Sequence, residues 1–163
     1  YKRGLYEGGL RQAGIARWPG KVPAGAVSEE PWAFWDFLPT AASLAGATLP
    51  EGHDFDGIDV SSVLLGGKAP ERELFYWELH EGTSLQAVRF DGHWKAVRNG
   101  PKAKIELYDL SADAAESKDL AAAHPDKAAR AGTLMAASRT DHPDWPLVEK
   151  AKGKGKGTKG KAK

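Results

Sequence analysis

The sequence lacks cysteine entirely, which excludes disulfide bonds and thiolate metal sites from its 163 residues. No apolar run approaches the roughly 18 residues that a membrane-spanning helix needs, so no membrane span is expected. The first residue is Tyr1 and not methionine, so the sequence carries no information on a native signal peptide. No metal-ligand spacing is found among His53, His93, His124 and His142, and the sequence therefore predicts no metal site in this chain.

Residues 150–163 lack acidic side chains and contain almost nothing apolar, whereas seven of them are lysine. Such a segment buries too little surface to offset its chain entropy, so we predict a disordered tail. Subtracting those seven lysines leaves 16 Lys and Arg against 22 Asp and Glu, a formal charge of about −6 for residues 1–149. The acidic body argues against a specific nucleic-acid partner. The tail is either a solubilising segment or a weak, salt-dependent binder of polyanions.

The chemical signature of the sequence is concentrated in its first twenty residues. Four cations and one carboxylate occur there: Lys2, Arg3, Glu7, Arg11 and Arg17. The glycine pair at positions 8 and 9 permits backbone conformations closed to other residues. Taken alone, the segment is compatible with an anion site or with an ordinary solvated surface turn.

The apolar pattern predicts an α+β fold built on a small antiparallel sheet of about four strands. Strands are expected at residues 72–79, 85–90, 94–98 and 105–108. Asp91-Gly92, between the second and third, is a strong hairpin signal. A C-terminal helix from His124-Pro125 to about Ser138 is expected to pack on the sheet. Its apolar stripe consists of Ala128, Ala131, Leu134 and Met135.

Two further elements are predicted before the sheet. Residues 11–18 indicate a short strand that ends at Pro19-Gly20. Asp36 is expected to cap a helix that ends at Gly46. The packing stripe of this helix is expected to contain Phe37, Leu38, Ala41, Leu44 and Ala45. The aromatic residues at its start are Trp32, Phe34, Trp35 and Phe37, and we expect them to be buried, the alternative being a platform that stacks on sugars.

The order of several motifs resembles the C-terminal part of sulfatases of the arylsulfatase type. Lys-x-x-x-Tyr-Glu-Gly-Gly-Leu-Arg begins at Lys2 and is followed by Arg-Trp-Pro-Gly-Lys. The motif Asp-x-x-Pro-Thr, which begins at Asp36, is similar to a helix start of the family. Later segments recur in the family's order: Asp56–Asp59, Phe75–Glu78, Ala87–Arg89, Trp94–Val97 and Glu106–Leu110.

This resemblance implies a larger parent enzyme that hydrolyses sulfate esters with a formylglycine nucleophile and calcium. The family's Cys- or Ser-x-Pro-x-Arg motif is missing here, as are its calcium-binding acidic pairs. We therefore interpret the chain as a C-terminal fragment that is inactive alone. Its predicted domains are residues 1–66, the end of an alkaline-phosphatase-like α/β core, residues 67–149, the sheet and helix, and residues 150–163, the tail.

The resemblance also implies a partner and a location for the parent enzyme. The expected substrate is a sulfated small molecule or a sulfated glycan, and the expected location is periplasmic or extracellular. The oligomeric state stays open.

Lys2 is the predicted catalytic residue, because in the family the lysine five residues before the glutamate contacts the sulfate group. Lys2 stands at that spacing from Glu7. A fixed ammonium group stabilises the negative charge that spreads onto the leaving oxygen as the ester bond breaks. The loop around it is expected to be held in shape by Glu7, Gly8, Gly9 and Arg11, with the carboxylate accepting backbone N–H bonds or pairing with arginine.

His80 and Glu81 are the predicted substrate-binding residues. They follow the Phe75–Glu78 strand at a place where loops often meet an active site, and a histidine beside a carboxylate can do acid or base work near neutral pH. An ordinary exposed pair at a strand end is the alternative.

Two other functions stay open at this point. Phosphatases and phosphodiester hydrolases share the superfamily's architecture and also bind tetrahedral anions. A non-catalytic module that binds sulfated glycans through aromatic and basic side chains is the second alternative.

Overall fold

The structure is a computed structural model that describes residues 3–149. The predictions for Lys2 and for the lysine tail lie outside the described residues. The chain forms two compact units. One contains residues 3–11 and 74–149, and the other contains Gln12–Glu73. Residues 3–11 thus group with the sheet, while the predicted domain boundary after residue 66 stays a prediction.

The first unit is built on a four-stranded antiparallel sheet in the order β1-β2-β3-β4. The strands are β1 (Leu74–His80), β2 (Ser84–Phe90), β3 (Trp94–Arg98) and β4 (Ile105–Asp109). The predicted meander is therefore confirmed. Asp91 and Gly92 both have positive φ, 48° and 77°, between the second and third strands. These are residue types that tolerate the left-handed region in a hairpin connection.

Each face of the sheet has its own covering. Within residues 3–149 the α-helices are α1 (Glu7–Leu10), α2 (Phe37–Ala45), α3 (Ser61–Leu64) and α4 (Pro125–Ala137). One face packs Val88, Ala96 and Leu107 against Ala131 and Met135 of α4, as the apolar stripe predicted. Because successive strand residues point to opposite faces, the neighbouring residues form a second cluster on the other side. That cluster contains Leu5, Ala87, Val97 and Tyr108. The N-terminal segment therefore covers the face opposite α4.

The strand predicted for residues 11–18 does not form. Those residues have no regular secondary structure, and Ile15 is 97% exposed. A strand needs a neighbour to accept and donate its main-chain hydrogen bonds, and none of the described strands pairs with this segment. The prediction of a strand in this segment is therefore wrong.

Helix α2 forms as predicted and ends at Gly46, whose φ of 66° is left-handed. Its predicted packing stripe is wrong, because Phe37 is 62% and Leu38 is 52% exposed. The buried residues of this helix are Pro39 and Thr40. Thr40 Oγ1 accepts a hydrogen bond from the Val60 amide at 2.9 Å, so a polar side chain of the helix faces inward.

Asp36 is buried at the start of α2, but its carboxylate does not cap the helix. It accepts the amides of Ala33 at 2.7 Å and of Ile58 at 3.0 Å, and it pairs with Arg72 at 2.5 Å. The expectation that the adjoining aromatic residues are buried also fails, since Phe34 is 90% exposed. The interior at this helix start is organised around the carboxylate, which leaves the aromatic rings outside.

Candidate functional site

The N-terminal segment that contains the predicted sulfatase motif lies on the sheet. Leu5 is buried, and residues 7–10 form the single turn of α1. The amides of Gly9 and Leu10 donate to the carbonyl of Tyr6 at 2.8 and 3.0 Å. Gly8 lies inside the same turn, and neither glycine is among the residues with positive φ. The glycines therefore serve a compact helical turn, not a left-handed loop.

Glu7 is held by two residues that the sequence did not point to. Its carboxylate accepts a hydrogen bond from Lys95 Nζ at 2.8 Å. Its main-chain amide donates to Glu116 Oε2 at 2.5 Å, and Lys95 Nζ also lies 2.8 Å from Glu116 Oε1. The lysine is thus placed between two carboxylates. Its side chain is fully buried and that of Glu116 is 2% exposed.

Tyr6 adds a separate anchor on β4. Its hydroxyl donates to Glu106 Oε2 at 2.5 Å and accepts from the Asn99 amide at 2.6 Å. The hydroxyl of Tyr108 donates to the same Glu106 oxygen at 2.8 Å, and the two tyrosine rings meet edge to face. Burial, together with the hydrogen bond to the Glu106 carboxylate, raises the pKa of Tyr6 to about 12. The phenol therefore stays neutral and hydrogen-bonded at physiological pH.

The two predicted substrate-binding residues have different surroundings. Glu81 is exposed and pairs with Arg3, with Arg3 Nε 3.2 Å from Glu81 Oε1. The structure thus brings Glu81 beside the residue that follows Lys2 in the sequence. His80 is mostly enclosed: its Nε2 lies 2.6 Å from Glu78 Oε1 and its Nδ1 lies 3.1 Å from Ser84 Oγ. The ring of Trp145 packs on it at 5.7 Å between centroids.

Glu78 is the centre of the network around His80. It accepts hydrogen bonds from Tyr76 at 2.5 Å and from Gln86 at 3.3 Å, and Arg139 Nε lies 3.1 Å away. Burial on its own raises the pKa of Glu78. This effect of burial is outweighed by the hydrogen bonds from Tyr76 and His80 and by the charge of Arg139. The pKa of Glu78 therefore lies below its ordinary value of 4.5. The carboxylate is therefore ionised and fully engaged at neutral pH.

A shallow depression of about 400 Å³ lies beside this network. Its lining consists of Arg139, Asp141, His142, Pro143, Pro146 and Leu147. The guanidinium of Arg139 is already committed to Glu78, to Asp141 and to the carbonyl of Trp145. The depression thus offers an open surface next to His80, with its one arginine neutralised by two carboxylates.

Residues 3–149 contain no group of three histidine, aspartate or glutamate side chains that could hold a metal ion. Over the same range, no helix has both the length and the apolar character needed to cross a membrane. The calcium that the family resemblance implies therefore finds no fitting ligand set among these residues.

Comparison with known proteins decides the family. The sequence is 40% identical over 95 residues to N-acetylgalactosamine-6-sulfatase of Canis lupus familiaris, which covers 58% of this chain and 17% of that protein. It is 36% identical over 143 residues to arylsulfatase G of Rattus norvegicus, which covers 77% of this chain and 27% of that protein. The structure matches a 2-O GAG sulfatase with a TM-score of 0.54 and 25% identity, over 70% of this chain and 27% of the other. The chain belongs to the sulfatase family.

Other solved structures place the sulfatase chain in the expected alkaline-phosphatase-like fold. Ps i-CgsB matches with a TM-score of 0.64 and 28% identity, over 74% of this chain and 27% of that one. A phosphonate monoester hydrolase from Silicibacter pomeroyi matches with a TM-score of 0.59 over 77% of this chain and 29% of its own. At 24% identity, that likeness shows the shared fold alone. No protein-family model matches the sulfatase chain.

The sulfatase chain spans between 17% and 27% of the length of the two curated relatives.

Proposed function

We propose that this chain is the C-terminal part of an enzyme that hydrolyses sulfate esters. The observation that carries the proposal is its similarity to two proteins named as sulfatases, at 40% and 36% identity. Residues 1–66 would complete the catalytic α/β domain, and residues 67–149 would form the C-terminal subdomain. By itself, the chain is expected to be inactive.

Lys2 is the residue that we assign to the sulfate group. Its spacing from Glu7 is that of the family's sulfate-contacting lysine, and Glu7 is fixed on the sheet by Lys95 and Glu116. An ammonium group held beside the ester stabilises the charge on the leaving oxygen in the transition state more than in the ground state. His80 and Glu81 are assigned to the wall of the substrate pocket, with Glu81 near the same segment through its pair with Arg3.

The nucleophile and the calcium ligands are assigned to sequence outside this chain. Bound calcium would supply positive charge at the sulfate, and the described residues hold no fitting ligand set for it. The substrate class is a sulfated small molecule or sulfated glycan, and the expected location is periplasmic or extracellular. The reading frame upstream of Tyr1 should encode a Cys- or Ser-x-Pro-x-Arg motif. Threonine or an unmodified serine there would favour the phosphatase alternative.

The proposal is tested by substituting Lys2 with alanine in the complete protein. We expect Lys2→Ala to lower the turnover of 4-nitrophenyl sulfate by about two to three orders of magnitude, since a group that acts on transition-state charge contributes on this scale. The midpoint of urea unfolding should not change.

Lys21→Ala is the matched control, because Lys21 is an exposed lysine of the same N-terminal region. Its turnover should equal that of the wild type. Near-normal turnover of Lys2→Ala would remove the assignment of Lys2. Preferential hydrolysis of 4-nitrophenyl phosphate by the wild type would replace sulfatase by phosphatase.

A further inference from the structure

A fully buried lysine lies beneath the N-terminal segment of the chain. Lys95 is the second residue of β3, between Trp94 and Ala96, which both face α4. Strand alternation therefore directs Lys95 to the opposite face, the one that Leu5 covers. A charged lysine is almost never fully buried unless it is paired, and Lys95 is paired twice, with Glu7 and with Glu116.

Stability alone does not account for this arrangement. Removing two or three charges from water costs about as much as their mutual attraction returns, and apolar residues of the same size often give an equal or more stable protein. What a buried ion cluster does provide is a single allowed geometry, because a small shift leaves a charge unpaired in a dry environment. The cluster is therefore better suited to fix a position than to stabilise the fold.

Glu116 reaches this cluster from a turn with an uncommon backbone. Its φ of 54° is left-handed, a conformation that non-glycine residues rarely adopt. The turn is closed by Asp113, which accepts the amides of Ser117 and Lys118 at 2.8 and 2.9 Å. Such backbone conformations persist where the surrounding structure requires them. Here the turn aims the carboxylate of Glu116 at both Lys95 Nζ and the Glu7 amide.

The contact to Glu7 holds the main chain as well as a side chain. Glu7 is the first residue of α1, so its amide has no acceptor within the helix. Glu116 supplies that acceptor from a sequence distance of 109 residues, and Lys95 holds the side chain of the same residue from a distance of 88. The main-chain amide of Glu7 is therefore held by Glu116, and its carboxylate is held by Lys95 of β3.

We propose that Lys95 and Glu116 are positioning residues, which fix the main chain at Glu7 and thereby the placement of the segment that carries the family's lysine motif. The anchoring itself is a property of this chain. Its effect on catalysis rests on the proposed sulfatase function.

The anchoring is tested by hydrogen exchange in the 163-residue chain, followed by NMR. In Lys95→Met, two carboxylates face each other without a cation. We expect exchange of the Glu7 amide to accelerate at least about tenfold, while the amides of Val88 and Leu107 in the core strands keep their protection. Lys118→Met is the matched control, because Lys118 is exposed and lies two residues from Glu116. It should leave the Glu7 amide unchanged.

A second variant keeps the test decisive if Lys95→Met does not fold. Glu116→Gln retains the size of the side chain and an oxygen that can accept the Glu7 amide, but it removes the charge that faces Lys95. We expect the Glu7 amide to exchange several-fold faster in a folded chain. Unchanged exchange in both folded variants, or acceleration spread evenly over the whole sheet, would overturn the proposal.

The catalytic consequence is tested in the complete protein with 4-nitrophenyl sulfate. Lys95→Met should lower kcat at least about tenfold with little change in KM, and the double variant Lys2→Ala, Lys95→Met should be no slower than Lys2→Ala. Additive losses would mean that Lys95 does not act through this segment. If the wild type hydrolyses no sulfate ester while the Glu7 amide still depends on Lys95, the proposed function fails and the anchoring stands.

Discussion

At the scale of single residues, the contacts of His80 follow the alternation of strand side chains and not adjacency in the sequence. Glu81 is adjacent to His80 in the sequence, but it lies just beyond the end of β1 and does not contact the His80 ring network. His80 lies instead with Glu78, two residues earlier, and with Ser84, its cross-strand partner on β2. The period of two along Tyr76, Glu78 and His80 was the signal available in the sequence. Glu81 contacts Arg3 on the surface.

The network around Glu78 should make the stability of the chain depend on pH in acid. The pKa of Glu78 is lower in the folded chain than its ordinary value of 4.5, so the ionised form favours folding. That contribution is complete above about pH 4.5 and is lost as the pH falls through the folded pKa. Glu78→Gln should therefore lower the free energy of unfolding by about 1.5–3 kcal/mol at pH 7, the value of hydrogen bonds to a charged group, and by much less at pH 3.

Urea unfolding at pH 7, 5 and 3 measures this difference. Glu81→Gln is the control, because Glu81 is 44% exposed and should give a small effect at every pH. An equal loss for Glu78→Gln at pH 7 and pH 3 would show that its ionised form is not what stabilises the fold.

At the scale of elements, the local sequence pattern predicted the sheet and α4. It did not predict the buried residues of α2, which depend on a contact with a residue far away in the sequence. The meander follows from alternation and from Asp91-Gly92, which are both local. The inward face of α2 is instead decided by Val60, whose amide needs Thr40, a residue twenty positions earlier. No helical periodicity contains that information. The apolar stripe was the stronger local signal, but its first two residues, Phe37 and Leu38, are exposed.

Because Thr40 of α2 is buried and Phe37 is exposed, we expect substitution of the threonine to destabilise the chain more than substitution of the phenylalanine. Thr40→Val keeps the shape of the side chain but leaves the buried Val60 amide without its acceptor, which should cost about 1–3 kcal/mol. Phe37→Ala removes a much larger side chain from an exposed site and should change the unfolding free energy by less than about 0.5 kcal/mol. Urea unfolding followed by tryptophan fluorescence compares the two. A larger loss for Phe37→Ala would restore the predicted stripe as the packing face.

At the scale of the whole molecule, the candidate site contains one residue that a sequence motif identifies, Glu7, and two that no motif identifies, Lys95 and Glu116. The motif around Glu7 was visible because it is contiguous. Lys95 and Glu116 were not, because they meet Glu7 only after the sheet has brought residues 88 and 109 positions apart together. Each looks ordinary in the sequence, a lysine in a strand and a glutamate in a turn. Their burial is set by the register of β3 and by the turn that contains Glu116.

The whole chain also divides its charge unequally, which leads to a prediction about binding. The formal charge is +1 for the complete chain and about −6 for residues 1–149, because seven lysines lie in residues 150–163. A concentrated positive segment attracts polyanions through charge, and this attraction weakens steeply with salt. We expect the full chain to be retained on a heparin column at about 20 mM salt and released by about 0.2 M, whereas a chain ending at Glu149 should pass through. A control in which the seven lysines are replaced by glutamine separates charge from length. Retention of the shortened chain would locate the polyanion contact on the acidic body instead, and it would support the glycan-binding alternative.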